Sequence, residues 1–301
     1  MLRVEGIGGQ ANPVAQRRNR WCLAKKASAG GICICKPTAI GFGGAELLTG
    51  TRGSDLLDTQ SPYWWFVHQH YECYTAGDHQ TWRLLFERRR SELIHIASGA
   101  FERGLSWLGI EGACIPDLTV LNIQLTDLCG WSVMPVKGFL PSRTFFSCLE
   151  KRIFPCTTYV RDATQLGYTS EPDIFHDVFG HLPLYCQSQY RDYVQRLGRL
   201  AKLARTDEQL SLLAQTYWFT VEFGLIREGT ETRVYGSGLL SSTADCQMAL
   251  GPHCQRRRFQ LDDVLAQPVS TDTLQKVLFV IDSYDELEST IAELEGRLLS
   301  S

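Results

Sequence analysis

Residues 217–224 read Tyr-Trp-Phe-Thr-Val-Glu-Phe-Gly, and in this run one carboxylate, Glu222, stands among apolar neighbours. Leu210, Leu213, Ala214, Tyr217 and Val221 recur at helical spacing, which predicts a buried helix over residues 206–223 with Gly224 as its C-cap. A carboxylate carried inside on such a helix is costly unless a cation meets it. Whatever the chain folds into, it must bring a positive charge to this point. Arg227 or another buried arginine would serve, and so would a metal ion.

A second stretch supplies metal ligands. Residues 170–183 read Ser-Glu-Pro-Asp-Ile-Phe-His-Asp-Val-Phe-Gly-His-Leu-Pro. Ser170 can cap a helix, Pro172 suits its first turn, and Asp173 suits its positive end. His176 and His181 are five residues apart, and on a regular helix they would point about 140° apart at 100° per residue. A break at Gly180 is therefore expected, turning His181 back toward the side His176 faces. Two neutral imidazoles and a carboxylate are the ligand set of non-haem iron(II) oxygenases, which keep positions open for oxygen and substrate. The same set also makes a catalytic zinc site with one open position. Ligand type alone does not choose between them.

The rest of the chain predicts a mostly helical domain with a few short strands. Order is expected to begin near Tyr63-Trp64-Trp65, giving one domain over residues 61–301. Asp78 reads as the N-cap of a long amphipathic helix with Trp82, Leu85, Phe86, Leu93 and Ile94 as its apolar stripe and residues 88–90, three arginines, as its wet face. Helical pattern continues through Phe101 and Leu108, followed by a loop at residues 115–118. Residues 277–281 predict a five-residue strand. Ser283 and Glu286 predict a capping box for a last helix with Leu287, Ile291, Leu294 and Leu298 on one face. Residues 1–60, rich in Gly and Ala with no sustained periodicity, are expected to be poorly ordered or loosely packed.

Charge and cysteine usage narrow the partners. A net charge of −3 leaves no basic excess for tracking phosphates, so neither nucleic acid nor an anionic membrane is expected as the main partner. No apolar run approaches the roughly 20 residues that span a bilayer. The eleven cysteines are scattered, Cys33 and Cys35 being the closest pair, and are expected to be reduced thiols of a cytoplasmic protein.

The residues flanking the candidate ligands carry a resemblance. Residues 171–184 around His176 and His181, residues 217–225 around Glu222, and Tyr235-Gly-Ser-Gly-Leu-Leu-Ser-Ser resemble the aromatic amino acid hydroxylases, which act on phenylalanine, tyrosine or tryptophan. The resemblance covers residues 63–282 and is strongest to the single-domain bacterial members. It implies the catalytic-domain fold of that family and a monomer acting on a small aromatic amino acid, phenylalanine first. It implies iron(II) on His176, His181 and Glu222, tetrahydrobiopterin or another tetrahydropterin as the two-electron donor, and O2 as co-substrate. Arg161 matches the arginine that grips the substrate's carboxylate, a role suited to a guanidinium fork. Thr169 and Ser241 match substrate-site positions, and Trp218 a residue lining the substrate pocket. Leu140, Ser142 and Phe145 match the pterin loop, with Phe145 as the ring that stacks on the pterin.

The sequence also departs from the family pattern. Asp177 stands where the family usually has Glu close to the pterin, Ser170 where the animal enzymes have Pro, and Lys276 where a Pro follows a substrate-selecting loop. Thr271 lies near the position where phenylalanine and tyrosine enzymes differ, which leaves the preferred ring open. Each resemblance-based role has a plainer alternative. Phe145 could be a core ring, Arg161 a structural ion pair, and Asp177 a solvated residue of a helix turn. For the centre as a whole the rival is a zinc hydrolase. Its usual His-Glu-x-x-His spacing of four on an unbroken helix is not the spacing found here.

Overall fold

The computed structural model describes residues 65–167, 169, 171–269 and 274–300. The expectations for residues 1–60, Tyr63, Trp64, Ser170 and Thr271 lie outside them. Helix α1 (Ala76–Glu92) opens on a capping box: Thr75 Oγ1 accepts the Asp78 N–H at 3.1 Å and the Asp78 carboxylate accepts the Thr75 N–H at 2.7 Å. Thr75 is thus the cap and Asp78 the third helical residue, so the helix starts earlier than expected. Trp82, Leu85 and Leu93 are fully buried, as their spacing predicts. The stripe ends there, because the helix stops at Glu92 and leaves Ile94 59% exposed. The wet face fails at its centre: Arg89 is only 1% exposed and points into the protein.

Helices α2 (Gly99–Leu108) and α3 (Leu118–Cys129) follow, α3 capped by Asp117. Strands β1 (Ser132–Val136) and β2 (Ile153–Thr157) form a parallel pair, Ser132 opposite Ile153 and Val136 opposite Thr157. Helix α4 (Ser142–Glu150) makes the crossover that a parallel pair requires. Helices α5 (Ser188–Leu200) and α6 (Asp207–Tyr217) come next, α6 capped by Thr206. The chain then builds β3 (Leu225–Glu228), β4 (Glu231–Val234), α7 (Ser237–Ser241), α8 (Thr243–Leu250), β5 (Gln255–Arg258), α9 (Leu261–Ala266), β6 (Val277–Ile281) and α10 (Glu286–Ser300). The second sheet has the order β4-β3-β6-β5, with β3 and β4 antiparallel and β6 parallel to both its neighbours. An interior position explains why β6 reads as a continuous apolar run. Helix α10 buries Leu287, Ile291, Leu294 and Leu298 as expected, but the Glu286 carboxylate reaches back to the N–H of Asp282 (2.7 Å), one residue before the predicted box. The chain is mostly helical with few strands, as its sequence predicts. Among the described residues no helix is long and apolar enough to cross a membrane.

Aromatic packing fixes the segment that carries the histidines. Phe175 and Phe179 stack at 4.8 Å, the Trp82 ring meets Phe175 edge-on at 5.3 Å, and Phe101 meets Phe179 at 5.3 Å. Burial of each such ring stabilises by about 1.5–3 kcal/mol relative to exposure. One side of the segment is thereby held against α1 and α2, while its other side presents His176 and His181.

Candidate active site

The chain does not break at Gly180. Residues His176–His181 form a π-helical turn that runs into a 3-10 turn, Leu182–Cys186. Hydrogen bonds from i to i+5 widen the turn, so residues five apart lie on one face, as residues four apart do in an α-helix. A spacing of five is therefore what puts the two imidazoles together, with Nε2 to Nε2 at 3.1 Å. Gly180 instead permits close packing, since a Cβ there would lie 2.9 Å from the Ser237 carbonyl oxygen.

Glu222 ends a second π-helical turn, Trp218–Glu222, which continues α6. Its Oε1 is 3.2 Å from His181 Nε2 and its Oε2 is 3.6 Å from His176 Nε2. The cap after Glu222 is Phe223 rather than Gly224. Gly224 is small because a Cβ would lie 2.2 Å from both the Thr220 carbonyl oxygen and the Tyr235 ring.

Helix α7 holds two of the three ligands from behind. Ser237 Oγ donates to Glu222 Oε2 at 2.6 Å. Ser241 Oγ lies 2.8 Å from His176 Nδ1 and donates its proton to the Ser237 carbonyl at 2.8 Å. A hydroxyl has one proton to give, so His176 must donate from Nδ1, which leaves its Nε2 lone pair facing Glu222 and His181. Close backbone contact keeps α7 in place: a Cβ on Gly236 would lie 2.4 Å from the Glu222 carbonyl oxygen.

The electrostatics suit a divalent cation. Burial presses the His176 imidazole down to about 4, against the pull of Glu222, so it is neutral at physiological pH. Burial pushes the Glu222 carboxyl up, but His181, His176 and the Ser237 hydroxyl outweigh it and hold the group at about 2. One anion and a neutral imidazole, both half-buried, thus converge with the buried His181. Metal–ligand bonds of about 2.1 Å place adjacent donors about 3.0 Å apart at right angles and about 3.4 Å apart in a tetrahedron. The Nε2–Nε2 separation of 3.1 Å matches the first of these, Glu222 turns Oε1 to His181 (3.2 Å) and Oε2 to His176 (3.6 Å), and one ligand atom from each of the three residues lies within 4.8 Å of the other two.

That ion would face a cavity of about 300 Å³, lined by all three residues and by Leu140, Ser142, Phe145, Asp177 and Trp218. Phe145 is not a plain core ring: it is half-buried on the cavity wall, edge-on to Tyr217 at 5.2 Å. Asp177 is not solvated: it is 5% exposed and accepts from the Thr157 N–H (2.6 Å) and hydroxyl (2.7 Å) at the end of β2. Burial drives its carboxyl up to about 7, against those hydrogen bonds and His181.

Three expected site residues do not line this cavity. Ser241 stands behind His176, and Thr169 Oγ1 donates to the Glu171 carbonyl at 3.1 Å. Arg161 is committed to Asp173: Nε donates to Oδ2 at 2.9 Å, Nη2 to Oδ1 at 2.7 Å, and the Arg161 backbone N–H to Oδ2 at 2.8 Å. Asp173 also accepts the His176 N–H at 3.0 Å, so it ties Arg161 to the metal-facing turn. Sequence reasoning took Asp173 for a helix-start charge and passed over Ser237 and Thr157. Ser237 was within reach, since it stands four residues before Ser241 on the same helical face.

Comparison with known proteins agrees with this geometry. The family described as biopterin-dependent aromatic amino acid hydroxylase matches residues 69–298. Phenylalanine-4-hydroxylase of Caulobacter vibrioides is 39% identical over 225 residues, covering 74% of this chain and 76% of the relative. Phenylalanine-4-hydroxylase of Ralstonia nicotianae is 40% identical over 215 residues, 71% of this chain and 69% of the relative. The solved structure of Chromobacterium violaceum phenylalanine hydroxylase with iron(III) and 7,8-dihydrobiopterin superposes with a TM-score of 0.74 at 36% identity, covering 79% of this chain and 87% of that one. With a largely buried two-histidine, one-carboxylate site opening on an aromatic cavity, and with matches of this extent, the chain belongs to the biopterin-dependent aromatic amino acid hydroxylase family.

Proposed function

We propose that His176, His181 and Glu222 hold iron(II), that Leu140, Ser142, Phe145 and Asp177 receive the pterin, and that phenylalanine is the preferred substrate. Family membership makes the chain an aromatic amino acid monooxygenase that uses iron, a tetrahydropterin and O2. The relatives give no support to a zinc hydrolase. The observation that carries the residue assignment is the convergence of three ligand atoms, one from each residue and all within 4.8 Å of one another, at the wall of the aromatic cavity. Preference for phenylalanine is supported by the bacterial relatives, which are phenylalanine-4-hydroxylases.

When bound, iron and pterin supply the oxygen activation and the electrons; the chain positions, excludes water and sets charge. Ser241 keeps the proton of His176 on Nδ1, and Ser237 orients the Glu222 carboxylate. Phe145 offers a ring face and edge to a flat heterocycle, and Trp218 gives the cavity an apolar wall against an aromatic substrate. Arg161 is assigned to the substrate carboxylate through Nη1, the guanidinium nitrogen that Asp173 leaves unused. Thr169 is assigned to the same end of the substrate. Residues 61–301 are proposed as the catalytic domain of a cytoplasmic monomer, a setting in keeping with the free thiols of all eight described cysteines. The test is product analysis with phenylalanine, tyrosine and tryptophan in parallel, each with tetrahydropterin and iron(II). Tyrosine formed from phenylalanine at the highest kcat/KM is the expected result; a higher kcat/KM for either other amino acid overturns the assigned preference.

A further inference from the structure

Arg89 is the one arginine of its triplet that leaves the wet face of α1, and it is buried to 1% exposure. Its Nε donates to the Leu240 carbonyl at 2.9 Å and its Nη2 to the Leu239 carbonyl at 2.9 Å. Nη1 donates to the Glu92 carboxylate and to Thr243 Oγ1, the latter at 3.4 Å. Both carbonyls lie in the last turn of α7, where a helix has acceptors without internal partners and a cation is favourable. Helix α7 spans five residues, too few to be stable by itself, so its position must be set from outside. Its other side carries Ser237 and Ser241, which hold Glu222 and His176.

We infer that Arg89 is a positioning residue for the metal centre: by gripping the Leu239 and Leu240 carbonyls it fixes α7 so that Ser237 and Ser241 meet Glu222 and His176. Arg89 and Glu92 also line a cavity of about 330 Å³, together with Ile96, Cys246 and Leu250. Every nitrogen of the guanidinium donates a hydrogen bond: Nε and Nη2 to α7, and Nη1 to Glu92 and Thr243. Glu92 completes the arrangement: it receives Arg89 Nη1, Arg88 Nε at 2.9 Å and the Thr243 hydroxyl at 2.7 Å. The chain of contacts from α1 to the ligands is Arg89, α7, Ser241, His176. Of these only His176 is one of the three proposed metal ligands.

The inference rests on the metal reading above, and the two fail separately in one experiment. Apoprotein is titrated with iron(II) against a chelator, so that the readout is a dissociation constant rather than turnover. Arg89→Lys keeps the charge, but a single ammonium does not span both carbonyls and Glu92. It is expected to weaken iron(II) binding about 10-fold or more, within the 10–100-fold range usual for groups that orient metal ligands. Ser241→Ala is expected to weaken it similarly, and the double variant by less than the product of the two, because both act through one link. Glu87→Gln, on the exposed face of the same helix and outside these contacts, is expected to leave the affinity unchanged. Wild-type affinity in Arg89→Lys overturns the inference even if its melting temperature falls, because a merely structural role predicts that outcome. If Arg89→Lys does not fold, Glu92→Gln removes the carboxylate that orients the guanidinium, and wild-type affinity in that variant overturns the inference equally. His176→Ala reports on the centre itself: retained iron(II) binding there would refute the metal reading rather than the role of Arg89.

Discussion

Replacing Asp173 by alanine should be among the most destabilising single changes in the described residues. The pair it forms with Arg161 is buried, with side chains 2% and 0% exposed. Removing one partner of such a pair leaves a buried charge uncompensated, at a cost of about 3–5 kcal/mol. Four donors lose their acceptor, namely the Arg161 N–H, Nε and Nη2 and the His176 N–H. At about 1 kcal/mol each they sum to about 4 kcal/mol, inside that range. For a domain of this size about 2–4 °C is lost per kcal/mol, so the apoprotein should melt about 6–20 °C lower. Asp173→Asn keeps the shape without the charge and should fall between. Burial pushes the Asp173 carboxyl up, but Arg161 outweighs it and holds the group below the usual range. A carboxyl depressed in the folded state contributes stability that is complete above about pH 4 and fades as the pH falls through its folded value. The gap between wild type and Asp173→Ala should therefore close in acid. Calorimetry of the apoproteins from pH 3 to 8 makes the measurement; an alanine variant melting within about 2 °C of wild type at pH 7 refutes the reasoning.

Asp177 should act in the opposite direction. Burial raises its carboxyl from 3.8 to about 7, so between those values the folded apoprotein keeps a proton that the unfolded chain releases, and this group's contribution to stability should decline as the pH rises through that window and level off above it. Asp177→Asn should flatten that decline, and an identical pH profile in the two proteins would mean that the group does not titrate there. Deletion of residues 1–60 should leave kcat and melting temperature nearly unchanged, since the family match begins at residue 69; loss of soluble, active protein would show that the segment packs on the domain.

Residue identity made the centre legible in advance, and geometry did not. Glu222 announced itself as a carboxylate in an apolar run, and two histidines nearby in a Pro- and Gly-bounded stretch supplied its partners. The π-helical turn was hidden, because a spacing of five fits neither the α-helical period nor a strand, and a break at Gly180 was the local explanation. Arg89 misled for a related reason. Within α1 it reads as the middle of a charged face, and its partners Leu239 and Leu240 lie 150 and 151 residues away in sequence. Local pattern carries no information about such pairs. The shift of the α1 cap from Asp78 to Thr75 is milder: both residues are good caps three positions apart, and hydrogen bonding chooses between them. Ser241 is expected at the substrate site from the resemblance, whereas its place behind His176 and the direction of its hydroxyl follow from contacts with His176 and the Ser237 carbonyl one turn earlier.

The most direct measurement is activity restored to metal-stripped protein. With tetrahydropterin, O2 and phenylalanine present, added iron(II) should restore tyrosine formation and zinc(II) should not, and His176→Ala, His181→Ala and Glu222→Ala should each stay inactive with iron while remaining folded. Full activity with zinc alone, or retained activity in any of the three variants, would contradict the assignment of His176, His181 and Glu222 as the iron site.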